Sequence, residues 1–130
     1  MRILQPEGWP RPKGFSCGVA AHGVVIFVSG QIGWDEHGRF PAHDMPGQVR
    51  QALRNVATIL AEAGAGPEHV VRLTWYVTDK RQYLDQQREI GEAYREIMGR
   101  HFPAMSVVEV AALLESEANV EIEATAVVTR

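Results

Sequence analysis

Val24-Val25-Ile26-Phe27-Val28-Ser29-Gly30-Gln31-Ile32-Gly33 passes from five apolar residues into a polar end flanked by glycines. The apolar half is short, rich in β-branched side chains and does not alternate, which predicts a strand covered on both faces. Upstream, His22-Gly23 supplies a turn, so residues 17–21 and 24–30 read as a β-hairpin. Residues 1–5 fit a short edge strand. Residues 6–14 carry three prolines and two glycines and must be irregular. Downstream, residues 34–44 form a polar, glycine-containing loop.

From Pro46 the period changes. Val49, Ala52, Leu53, Val56, Ala57, Leu60 and Ala63 recur at helical spacing and make one apolar stripe. Asp44 or Met45 precedes a proline suited to the first turn, and Gly64 supplies the stop. Residues 69–78 alternate and favour β-branched and aromatic side chains, which predicts a strand. Asp79 can cap a second helix reaching about Gly99, with Ile90, Ala93, Tyr94 and Ile97 inward. Residues 106–113 and 120–128 close the chain as two strands. The expected order is β-β-β-α-β-α-β-β, an α+β fold with a mixed sheet and two helices on one face. The other sheet face then needs cover, and a second subunit is the simplest cover.

The chain has 130 residues, 45% hydrophobic and 22% charged, and a formal net charge of −3. That length suits one domain over residues 1–130. Arg50, Arg54, Arg72, Arg88, Arg95 and Arg100 are interspersed with carboxylates, so no basic stripe exists to displace phosphate counterions. Nucleic acid is therefore not expected as a partner. Cys17 is the only cysteine, and no intrachain disulfide can form. Residues 1–20 lack the apolar core of a signal peptide, and no stretch approaches a membrane span. The expectation is a cytoplasmic protein.

Four blocks, in order and register, resemble the Rid (YjgF-type) reactive-intermediate deaminase family, also called endoribonuclease L-PSP. They are Ser29-Gly30-Gln31-Ile32-Gly33; Val70-Val71-Arg72-Leu73-Thr74-Trp75-Tyr76-Val77-Thr78-Asp79; Pro103-Ala104 with Val108-Glu109-Val110; and Val120-Glu121-Ile122-Glu123-Ala124. The resemblance covers nearly the whole chain. It implies a chorismate-mutase-like fold and a homotrimer with small-molecule clefts between neighbouring subunits. It also implies hydrolysis of enamines or imines to ketone and ammonia, without metal or organic cofactor. An imine carbon is already electrophilic, so a protein need only hold the substrate and aim one water at it.

The resemblance assigns Ser29 as a lining hydroxyl and Gly30 and Gln31 as backbone contacts. Read alone, these residues make an ordinary strand-to-loop turn. Glu121 and Glu123 flank Ile122 and share a sheet face; by themselves they read as a solvated face. The resemblance places the water-orienting carboxylate at Glu123, which, if partly buried, would need a raised pKa to shuttle protons near neutrality. Phe15 falls where the family places a lid aromatic, and an exposed loop aromatic is the plain alternative. Trp34 could wall a cleft but reads first as packing.

One departure stands out. Family members acting on amino-acid-derived imines carry arginine directly after Pro-Ala, where it grips the substrate carboxylate; here that residue is Met105. A thioether offers soft apolar contact in place of a bidentate charged clamp. Arg11, Arg95 and Arg100 are candidate replacements, and Met105 could also be a core gap-filler. Leu114, where many relatives have proline, points to a reshaped loop. Cys17 reads as a small buried thiol. His22, His37, His43, His69 and His101 show no ligand spacing that implies zinc. The reading that results is a deaminase of altered specificity. The alternatives are a binding or chaperone-like module without catalysis and, least favoured by the charge balance, a ribonuclease.

Overall fold

Asp44 starts the first long helix. Its backbone is extended and its carboxylate accepts from the Gly47 N–H at 3.2 Å, with Pro46 in the first turn. The computed structural model describes residues 1–129, and this helix, α1 (Met45–Glu62), is its central packing element. Met45, Val49, Ala52, Leu53, Val56 and Leu60 are fully buried along its apolar stripe. They pack on α3 (Gln87–Met98) and on the sheet strands β3 (Val24–Ile32) and β6 (Val120–Val128).

The remaining elements are β1 (Arg2–Leu4), β2 (Gly18–Ala20), β4 (Val70–Val77), α2 (Lys80–Asp85) and β5 (Ala104–Glu109), with a 3-10 turn at Pro67–His69. The main sheet has the order β3-β6-β4-β5. β6 runs antiparallel to both neighbours, and β4 pairs β5 in parallel. The expected α+β architecture, mixed sheet and element order are observed. On β6, Val120, Ile122, Ala124, Ala126 and Val128 enter the core while the residues between them face away from the helices.

Four local expectations change. Residues 17–21 and 24–30 do not form a hairpin: β2 pairs β1, and β3 pairs β6 from its first residue, Val24↔Val128. The nine-residue β6 offers β3 a full ladder, which three-residue β2 cannot match. The strand expected at 106–113 runs instead from Ala104 to Glu109, because its partner β4 ends at Val77, whose carbonyl takes one last bond from the Val110 N–H at 2.8 Å. The helix expected from Asp79 to Gly99 is two, broken at Gln86. Asp79 does cap the first, accepting from the N–H groups of Arg81 and Gln82, and the break sets Tyr83 edge-on against Trp75. Finally, β3 is covered on one face only: Val28 is buried, while Val25 and Phe27 are 49% and 79% exposed.

The buried amide of Gln48 ties the loops together. It donates to the carbonyls of Glu117 (2.9 Å) and Ala42 (3.3 Å) and accepts from the Asn119 N–H (2.8 Å). Such full pairing is what makes a buried amide tolerable. Gly33 packs against it, and a Cβ there would stand 2.8 Å from Gln48 Cβ. Asn55, further along α1, donates to the carbonyls of Ile32 and Trp34. The exit of β3 is thus pinned by α1.

Candidate functional site

β3 and β6 keep register as far as Val28↔Ala124 and regain it at Gln31↔Ile122. Two residues of β3, Ser29 and Gly30, therefore stand opposite one residue of β6, Glu123. This is a β-bulge, the device by which a strand re-aims its side chains. Nothing in the sequence marks it apart from Gly30 itself. On the other flank of β6, β4 shifts register between Val70 and Arg72, which sends Arg72 to the face away from the helices.

On that open face lies a groove of about 600 Å³ lined by Phe27, Ser29, Arg72, Thr74, Tyr76, Glu123 and Thr125, among others. Tyr76 donates its hydroxyl to Glu123 Oε1 at 2.7 Å. The bond to Glu123 raises the Tyr76 phenol above its usual pKa, because ionising it would place two negative charges side by side. Glu121 sits two residue pairs closer to the end of β3, opposite Ile32. Its carboxylate lies over Gly30, where a Cβ would collide with Oε2. Gln31 folds back on Ser29, its amide donating to the Ser29 carbonyl at 3.0 Å and reaching the hydroxyl at 3.4 Å.

Met105 is elsewhere. It pairs with Leu73 in the parallel ladder and faces the helices. There it lines a cavity of about 250 Å³ with Trp75, Tyr94 and Phe102 from the aromatic cluster, and with Lys13 and Arg95. Tyr94 stacks on Phe102 at 5.7 Å and on Trp75 at 6.3 Å, and donates its hydroxyl to the His101 carbonyl at 2.6 Å. Burial pushes the Tyr94 phenol up in pKa. Phe15 is 41% exposed. Its neighbour Ser16 bridges to Ala104, with the Ser16 N–H bonded to the Pro103 carbonyl at 3.0 Å. Phe15 and Met105 thus flank the start of β5, whereas Ser29, Gly30, Gln31 and Glu123 cluster at the end of β3. Within one chain the expected site residues fall into two groups: Met105 facing the helices, with Phe15 next in sequence to the Ser16–Ala104 bridge, and Ser29 and Glu123 on the open face.

The other candidates separate as well. Of the three arginines weighed as a replacement clamp, only Arg95 lines the Met105 cavity. Cys17 is exposed rather than buried, just before β2 of the separate two-stranded sheet. Trp34 rests on Phe40 with ring centroids 6.3 Å apart. Among the described residues no three His, Cys, Asp or Glu side chains gather into a metal-binding group, and no helix is long and apolar enough to cross a membrane. Sequence reasoning missed Arg72, Thr74 and Tyr76. The alternation of residues 69–78 could have shown Thr74 and Tyr76 sharing a face, but the register shift that turns Arg72 outward leaves no mark in the sequence.

Known proteins match this chain in sequence and fold. The family model for endoribonuclease L-PSP matches residues 10–128. The chain is 33% identical to the human 2-iminobutanoate/2-iminopropanoate deaminase over 104 residues, covering 79% of this chain and 72% of that one. A Rid-family protein from Yersinia pestis superposes with a TM-score of 0.85 at 32% identity, over 98% of both chains. Escherichia coli TdcF, solved with bound serine, superposes with a TM-score of 0.70 at 31% identity, over 99% of this chain and 100% of that one. The bulged strand end, the facing glutamates and the mixed sheet therefore occur in a chain that belongs to the Rid (YjgF/endoribonuclease L-PSP) family.

Proposed function

We propose that this protein hydrolyses a small enamine or imine, releasing ammonia and a ketone, in clefts between the subunits of a cytoplasmic homotrimer. The observation that carries the reading is the β-bulge, which sets Ser29 and Gly30 opposite Glu123 at the rim of one groove. A carboxylate there can accept a proton from a water as its oxygen bonds to the imine carbon and the C=N pair moves to nitrogen. Returning that proton to nitrogen completes the carbinolamine. Passing its hydroxyl proton to the same nitrogen, again through the carboxylate, lets the C–N bond break to release ammonia and leave a carbonyl. Ser29 and the backbone of Gly30 and Gln31 hold the polar end of the substrate. The human and E. coli relatives, one named an imine deaminase and the other solved with serine bound, support this chemistry.

Met105 lies on the opposite sheet face from Ser29 and Glu123, so one pocket containing all three needs two copies of the chain. The exposed Val25 and Phe27 supply an apolar surface for such an assembly. With methionine in place of the family's arginine, the preferred substrate differs from the simplest carboxylated imines.

The test is ammonia release from imines generated in situ by an amino-acid oxidase. Glu123→Gln should lower the rate about a hundredfold or more. Glu121→Gln is its comparator, because Glu121 overlies Gly30; if that variant alone carries the loss, the water sits at the strand end and Glu123 is a bystander. A folded trimer that turns over no imine, carboxylated or not, overturns the hydrolytic reading. Met105, set among aromatic rings without a family clamp, favours one alternative: a pocket that binds without turnover, whose ligand affinity survives Glu123→Gln.

A further inference from the structure

We infer that the cavity under Met105 is a site for an apolar carboxylate, with the Arg95 guanidinium as its anchor and Lys13 as a second cation. As a statement about substrate this rests on the hydrolysis proposed above; as a statement about binding it stands alone.

The cavity's composition is one-sided. Two cations line it and no carboxylate does. Among the described residues, Arg95 and Lys13 make no ion pair, although Arg88 on the same helix as Arg95, and Arg50 and Arg54 on α1, all do. Apart from these cations the lining is largely aromatic and apolar. The Trp75 indole N–H is buried and has no hydrogen-bond partner among the described residues, and its ring is part of the wall. A cavity of about 250 Å³ suits a ring or branched chain carrying one charged group, and is small beside drug-sized sites.

Arg95 reaches the cavity because of Gly91, one turn earlier on α3. The guanidinium lies back over that residue, and a Cβ at position 91 would stand 3.2 Å from Nη1. A guanidinium held over an aromatic-walled recess offers an incoming carboxylate paired charged donors, while the rings take the apolar body. Met105 then acts as soft wall rather than as anchor.

The probe is phenylacetate, with 2-phenylethanol as its uncharged counterpart and acetate as the anion without a ring. Binding to the intact protein is followed by calorimetry and by the Trp75 indole N–H resonance, assigned from its loss in Trp75→Phe. Phenylacetate should shift that resonance, bind more tightly than either control, and weaken as salt is raised. Arg95 also meets solvent, so Arg95→Gln should weaken binding about five- to tenfold. Lys13→Gln should weaken it less. Gly91→Ala, which crowds the guanidinium without removing charge, should weaken it too. Circular dichroism and oligomeric mass identify any variant that fails to fold. Equal binding of phenylacetate by Arg95→Gln and the parent overturns the proposal, as does equal binding of phenylacetate and 2-phenylethanol. Phenylacetate binding without ammonia release from any imine sinks the hydrolytic reading and leaves the anion site standing. Ammonia release with Arg95-independent binding does the reverse.

Discussion

The two faces of the main sheet are made by the same four strands, yet they obey different rules. On β6 the even-numbered residues from Val120 to Val128 are apolar and buried against the helices. The odd-numbered ones include Glu121, Glu123 and Thr125, which join Arg72, Thr74 and Tyr76 on the open face. Away from the Met105 cavity the helix face is well packed. Among the described residues its buried Gln48 amide is bonded at both ends, whereas the Trp75 indole N–H beside that cavity is not. The open face holds partly exposed charges beside the bare ring of Phe27. One strand thus builds the core with one parity and lines the open groove with the other. A single-residue slip in register would exchange the two.

That division can be broken experimentally. On the helix face, Leu53→Ala should cost about 2–5 kcal/mol in denaturant unfolding, since Leu53 is fully buried and its removal leaves a cavity. A cost near zero would mean that the face is not close-packed. Gln48→Ala should cost about 1–3 kcal/mol, because it strands the Asn119 N–H and the Glu117 carbonyl.

On the open face, Phe27→Asp should change the unfolding free energy of the single chain by less than about 0.5 kcal/mol, while sedimentation should show the proposed homotrimer falling to single chains. An unchanged sedimentation mass would mean that this face is left uncovered. Smallest is the response of Tyr76, whose phenol should titrate above the ordinary value of about 10 and fall back toward it in Glu123→Gln. The sign is fixed: a raised folded-state pKa contributes stability below the unfolded value, lost as pH climbs through the folded one. A spectrophotometric tyrosine titration reads this directly.

The sequence carried the architecture because its periods are clean. The α1 stripe, the Asp44 and Asp79 caps and the alternation in β4 and β6 each point to one local structure, and these agree with one another. The strand pairings were less visible. Whether β2 joins β3 or β1 depends on what β6 offers from a hundred residues away, and no local pattern reports that. The end of β5 was misplaced for a similar reason, since residues 110–113 are apolar enough for a strand but have no partner beyond Val77. For the candidate site, residue types were readable and relative placement was not. Ser29 and Glu123 share a groove, but two register shifts and the parity of β5 decide what else joins them. Parity is countable only once a register is known, so Met105 could be named from the sequence but not assigned to a face.

The bulged motif has a consequence for recognising such chains. Its first half, Ser29-Gly30, opens onto the groove, but its last residue, Gly33, sits against Gln48 in the packed interior. Any polypeptide adopting this scaffold gains from that closing glycine, whether or not it transforms a metabolite. Separating catalysts from their silent cousins therefore calls for comparing positions 95, 105, 121 and 123 rather than the pentapeptide that first draws the eye.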